Sequence, residues 1–154
     1  MRRSIQLLAA ATVVLAVGFW SSQRASATIV GEELFLRTAH WIGVREPTIN
    51  RKFNAALSLD RIDRNNHSAM IDTLEKYVIP FWRKAGDRLA KIQLPSDSPN
   101  SSKLEILQDL SDGRADAYQL LDDGLRKNDS KLTATAGDDL KQVEQTANER
   151  RKAQ

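Results

Sequence analysis

The chain has 154 residues, 23 Lys or Arg against 20 Asp or Glu, and no Cys. The lack of Cys means that the fold holds without disulfides, and it excludes haem attachment through Cys-x-x-Cys-His. The net charge of +3 points to nucleic acid only until its source is located, and that source is the first 27 residues.

Arg2 and Arg3 open the chain, and Leu7 to Trp20 follow with Thr12 as the only polar member. Ala25-Ser26-Ala27 then presents small residues at the two positions that a signal peptidase reads. Charge, apolar run and small-x-small site in that order make an export signal. A membrane-crossing helix needs roughly 20 apolar residues, and the run is shorter. Cleavage after Ala27 is therefore expected, with a mature N-terminus at Thr28 and a periplasmic or secreted protein. The alternative is a short inner-membrane anchor over residues 5–20, with Phe19 and Trp20 in an interfacial aromatic belt. An intact mass of the protein from its native envelope decides between the two. The Ser/Thr that precedes a twin-arginine pair is missing from Arg2-Arg3-Ser4-Ile5, so ordinary secretion is expected. No Cys follows the run, which excludes a lipoprotein.

Residues 1–27 hold Arg2, Arg3 and Arg24 and no acid, so the remainder carries 20 basic and 20 acidic residues. A neutral, mixed-sign surface has no electrostatic footprint for nucleic acid. Arg150, Arg151 and Lys152 read as a solvated helix end that complements the helix dipole. Residues 28–154 suit a single domain with a real core.

Strand signals are nearly absent, whereas helical spacing occurs four times. The first segment, about Gly31 to Leu59, carries Leu34, Thr38, Trp41, Ile42, Ile49, Phe53, Ala56 and Leu59. Pro47 interrupts it and predicts a kink, or two helices meeting at Arg45-Glu46. Asp60 to Asn66 reads as a turn. The second segment starts near Ser68, a candidate cap. It carries Met70, Leu74, Tyr77, Val78, Phe81, Ala85, Leu89 and Ile92, with one step of one residue. Pro80 predicts a second kink. Leu94 to Asn100 is a Pro/Ser/Asn linker. The third segment, about Ser101 to Lys127, carries Leu104, Leu107, Leu110, Ala117, Leu121 and Leu125. Asn128-Asp129-Ser130 turns the chain. The fourth, about Lys131 to Lys152, carries Leu132, Ala136, Leu140, Val143 and Ala147. The fold expected is all-α, an up-down antiparallel four-helix bundle with proline-kinked first and second helices.

Such bundles hold haem, paired metals or small ligands between their helices. Paired iron needs Glu-x-x-His on two helices, but Arg37 and Arg64 stand three residues before His40 and His67, the two histidines. No metal is expected. The layout resembles the soluble periplasmic b-type cytochromes in its export signal, helix lengths, Asp97-Ser98-Pro99 linker and Lys127-Asn128-Asp129 turn. That resemblance implies haem held by an early Met and a late His. The first mature helix has no Met and no His follows His67, so no cofactor is expected. Val78-Ile79-Pro80-Phe81-Trp82-Arg83, the Ser98-Pro99 linker and Arg114-Ala115-Asp116-Ala117 resemble the helical region appended to some bacterial rhomboid-family proteins. The rhomboid Gly-x-Ser-Gly is absent, so the resemblance implies no protease activity.

Pro80-Phe81-Trp82 could shape an apolar pocket at a kink, or simply pack two aromatics in the core. Asp109, Asp112, Asp116, Asp122 and Asp123 read as solvated surface. Asp109, Asp112 and Asp116 share a stripe that could hold a cation or pair with Arg83, Arg88 or Arg114. Arg45 is the candidate buried charge, paired with Asp109 or Asp112 or receiving an anionic ligand. Candidate ligand-binding residues are thus Arg45, Trp41, Phe81 and Trp82. No nucleophile–base set, phosphate loop or Gly-x-Ser-x-Gly is present, so no enzyme activity is expected. The expectation is an exported helical-bundle module of the bacterial cell envelope that binds a protein partner or supports a complex. The alternative is a periplasmic small-ligand sensor or carrier with a pocket near Trp82.

Overall fold

The computed structural model describes the backbone of residues 2–62 and 66–153, and the side chains of 28–60 and 66–153. The leader assigned to residues 1–27 lies outside the described side chains. The structure is all-α: α1 (Arg2–Ile62), α2 (Ser68–Thr73), a π turn (Leu74–Val78), α3 (Ile79–Leu89), α4 (Ser101–Arg126) and α5 (Ser130–Lys152). The run from α2 through the π turn to α3 is one helical rod, so the chain forms four helices, with no strand among the described residues. Among the described residues no helix is long and apolar enough to cross a membrane.

Helix α1 runs through Pro47, which corrects the alternative of two helices meeting at Arg45-Glu46. The proline removes one helical bond, to the carbonyl of Gly43. Both Gly43 and Pro47 are exposed, so water can satisfy that carbonyl and the helix survives. The buried face of α1 is Phe35, Thr38, Ile42 and Ala56, with Ile49 and Phe53 half-buried. Leu34 and Leu59, assigned to that face from spacing, are exposed at 44% and 57%.

The π turn accounts for the single-residue step in the second stripe. Ile79 donates its N–H to Leu74, five residues back. One extra residue in a turn rotates everything downstream. Tyr77, placed in the core from spacing, is therefore exposed, while Ile79 and Trp82 turn inward beside Phe81. Pro80 follows immediately, in the first turn of α3, and takes one donor out of the continuous rod. Pro80→Ala is expected to lower the urea midpoint. Returning the π turn to α-helical register displaces two packed aromatics, at a few kcal/mol, against about 1 kcal/mol for one new hydrogen bond. An unchanged or raised midpoint would show the core is indifferent to the proline.

Ser68 is the first residue of α2 and not its side-chain cap. Its N–H donates to Asn66 Oδ1 at 3.2 Å, and its hydroxyl donates to the same oxygen at 2.7 Å. Loop 90–100 is tied to α1 through Glu32. That carboxylate accepts from the Ser98 hydroxyl and from Asn100 Nδ2 at 2.6 Å. The Ser98 and Asn100 bonds hold its carboxyl below the usual carboxylate range. A depressed pKa contributes stability above the unfolded value that is lost as pH falls through the folded one. Stability should therefore drop more steeply in the wild type than in Glu32→Gln below pH ~4.5, read as urea midpoint against pH. Parallel profiles would remove Glu32 as a clamp.

Between α4 and α5 the chain reverses in three residues. Asn128 adopts a left-handed φ of 50°. Asp129 N–H bonds the Gly124 carbonyl at 2.8 Å, and Asn128 N–H the Leu125 carbonyl at 3.2 Å. These are the two bonds of a Schellman stop with Asn in place of Gly. The Asp129 side chain then caps α5, accepting from Lys131 and Leu132 N–H groups. The two helices approach closely at Gly124, where a Cβ would lie 2.9 Å from the Thr133 nitrogen, and at Gly113, 2.7 Å from Val143.

Helix α4 is buried on two sides. Leu104, Ala115 and Tyr118 join the main core with α1, α2 and α3, and Ile106 and Leu110 form a second cluster with Ala147 of α5. Asp122, read as surface, is 2% exposed. Arg126 one turn later pairs with it, donating from Nε at 2.9 Å, and also reaches Glu75 in the π turn.

Candidate functional site

The four candidate ligand-binding residues fall in one continuous stack. On α1, Trp41 and Arg45 are one turn apart and so share a face. On α3, Phe81 and Trp82 point inward because of the π turn. The Trp41 and Phe81 rings stack at 5.3 Å and 27°, and Phe81 meets Trp82 edge-on at 4.8 Å and 73°. Arg45 lies over the Trp41 ring at 5.1 Å. Offset-stacked and edge-to-face pairs are the arrangements that ring quadrupoles favour.

Arg45 is exposed, so it is not the buried charge. Nor does it pair with Asp109, which binds Arg150 of α5, or with Asp112, whose carboxylate packs against Gly86. The third stripe carboxylate, Asp116, pairs with Arg83 at 2.8 Å. The enclosed cation is Arg114 of α4, whose side chain is 11% exposed. Its guanidinium lies over the Trp82 ring at 4.2 Å, donates to Glu46 of α1 at 2.6 Å, and donates through Nε to Glu144 of α5 at 2.5 Å. One side chain of α4 thus reaches three other helices. Arg88 of α3, like Arg114, is expected from sequence only as a partner of the α4 carboxylates. It lies over Trp41 at 4.2 Å.

Sequence spacing contains a trace of this bridge. The α4 stripe steps seven residues from Leu110 to Ala117, and Arg114 fills the gap. The α1 stripe likewise steps seven from Ile42 to Ile49, where Arg45 and Glu46 compete for the vacant turn. A charge in an apolar stripe's gap is a candidate for a buried pair, and Glu46 was the one turned inward.

The stacked rings line neither of two clefts among the described residues. One of about 630 Å³ is bordered by Tyr118 and by α5 residues including Lys141, Glu144 and Lys152. Burial pushes the Tyr118 phenol up, with Arg114 opposing the shift. The other, about 420 Å³, is walled by Phe53, Leu57, Met70 and Leu125 near the α4–α5 turn. At its edge His67 Nδ1 meets Asp60 at 2.6 Å. Trp82 lines neither; at 1% exposure it is enclosed. The stack is thus a packed wall between α1, α3 and α4, open at its Arg45–Trp41–Arg88 end. No family model, curated protein or solved structure matches this chain.

Proposed function

We propose that the chain is an exported, non-enzymatic helical-bundle module of the bacterial cell envelope that binds a protein partner through α1. In this reading the helices run up and down, antiparallel, and bend at Pro47 and Pro80. The observation that carries it is the outer face of α1. Ile29, Val30, Leu36 and Val44 are exposed at 68%, 55%, 59% and 60%, within five turns of one helix. Scattered exposed apolar residues need no explanation, but a run on one element marks an interaction surface. The carrier alternative requires a pocket beside Trp82, and the space there is filled by Phe81 and Arg114.

Photo-crosslinking in native cells tests this reading. A photoreactive residue at position 36 or 44 should give a discrete adduct with another protein, and one at exposed Asp138 should not. Absence of adducts at 36 and 44, or the same pattern at all three, would overturn it.

A further inference from the structure

We infer that Arg45 and Arg88 form a two-armed site for a phosphate group, seated at the open edge of Trp41. This goes beyond partner binding and does not depend on it. The basis is an imbalance in how the arginines are partnered. Arg37, Arg83, Arg114, Arg126 and Arg150 each pair with a carboxylate. Arg45, Arg51, Arg88 and Arg151 make no ion pair among the described residues, and of these four Arg45 and Arg88 lie over the same indole, at 5.1 and 4.2 Å. Two cations gathered at one ring repel each other, and their contacts with the indole offset that only in part. A doubly charged oxyanion between them removes the repulsion and accepts from both planar forks.

The neighbouring acids do not supply that charge. Glu46, next to Arg45, is committed to Arg114, and Asp87, next to Arg88, makes no ion pair among the described residues. Lys84, one turn before Arg88 on α3, is exposed and also makes no ion pair there, adding to the positive potential. The arms come from different helices and meet at one indole, which stacks on Phe81 and through it on enclosed Trp82. Anchoring the ring in this way lowers the entropic cost of binding at its edge. The shared chemistry is a phosphate group, from a soluble phosphate or phosphate ester or from an anionic lipid headgroup.

Calorimetric titration of the full-length chain with inorganic phosphate, at fixed ionic strength, provides the first arm. Single-site binding is expected, weakened about tenfold in Arg45→Gln and in Arg88→Gln and unchanged in Arg151→Gln. Co-sedimentation with phosphatidylglycerol vesicles, against phosphatidylcholine vesicles, is the second. Retention on phosphatidylglycerol that is lost in Arg45→Gln and Arg88→Gln assigns the phosphate to a lipid. Arginine-dependent phosphate binding without it assigns a soluble source. The inference is overturned if neither arm depends on these two arginines, or if Arg151→Gln weakens binding equally. Circular dichroism of each variant confirms that the fold is kept.

Discussion

Replacing Arg114 with Met should lower stability by about 2–4 kcal/mol, one of the largest single-site losses outside the apolar core. The side chain is 11% exposed and serves Glu46, 29% exposed, and Glu144, 44% exposed. Removing one partner of a fully buried pair costs roughly 3–5 kcal/mol, because a charge is left without compensation. Both carboxylates here keep some contact with water, so solvent recovers part of that loss. The guanidinium also leaves the Trp82 face, at about 1 kcal/mol for a partly desolvated cation on an indole. Urea midpoints measure the sum. Arg114→Lys separates charge from geometry: it keeps the cation but cannot serve two carboxylates and one ring with a planar fork. Lys should therefore recover less than half of the loss. A Met variant as stable as the wild type would show that the three-helix bridge contributes nothing, as many exposed ion pairs do.

How much of this was legible beforehand can be followed along two stripes. On α5, Leu132, Ala136, Leu140, Val143 and Ala147 were read as the packing face, and all five are buried or half-buried. A regular helix with one neighbour has one face, and spacing alone finds it. Helix α4 has two neighbours. Ile106 lies on the side facing α5, whereas Ala115 and Tyr118 lie on the side facing the main core, so two periodicities overlap and a single-stripe reading passes over all three. The α2–α3 rod failed for a different reason. The single-residue step at Tyr77-Val78 was visible, but its cause, a π turn, has no residue signature apart from the proline behind it. The aromatic members of the candidate stack were found because large rings in a helical stripe are rarely left in water. Arg88 and Arg114 were legible only as partners of the α4 carboxylates, because their placement on the rings depends on which helices flank α3 and α4. That information is tertiary.

Trp82 gives the sharpest test of the packing around the stack, because two substitutions there should differ by several kcal/mol. Trp82→Ala removes a side chain 1% exposed that touches Phe81 and Arg114, and a buried Trp→Ala typically costs about 3–5 kcal/mol. Trp82→Phe keeps a ring in place. The smaller ring leaves a void of roughly 40 Å³, which at the cost per unit of cavity volume is about 1 kcal/mol. A weaker attraction for the Arg114 guanidinium adds a few tenths. Against this, the indole N–H is buried without a hydrogen-bond partner among the described residues, and a buried unsatisfied donor costs about 1–3 kcal/mol. Phenylalanine has no such group, so the terms nearly cancel and Trp82→Phe should fall within about 1 kcal/mol of the wild type. Urea midpoints of both variants, read by far-ultraviolet circular dichroism so that loss of the fluorophore is immaterial, decide it. A Phe variant destabilised nearly as much as the Ala variant would mean that the indole N–H does have a partner. The arginine stacked on that ring would then belong to a polar network reaching further than Glu46 and Glu144.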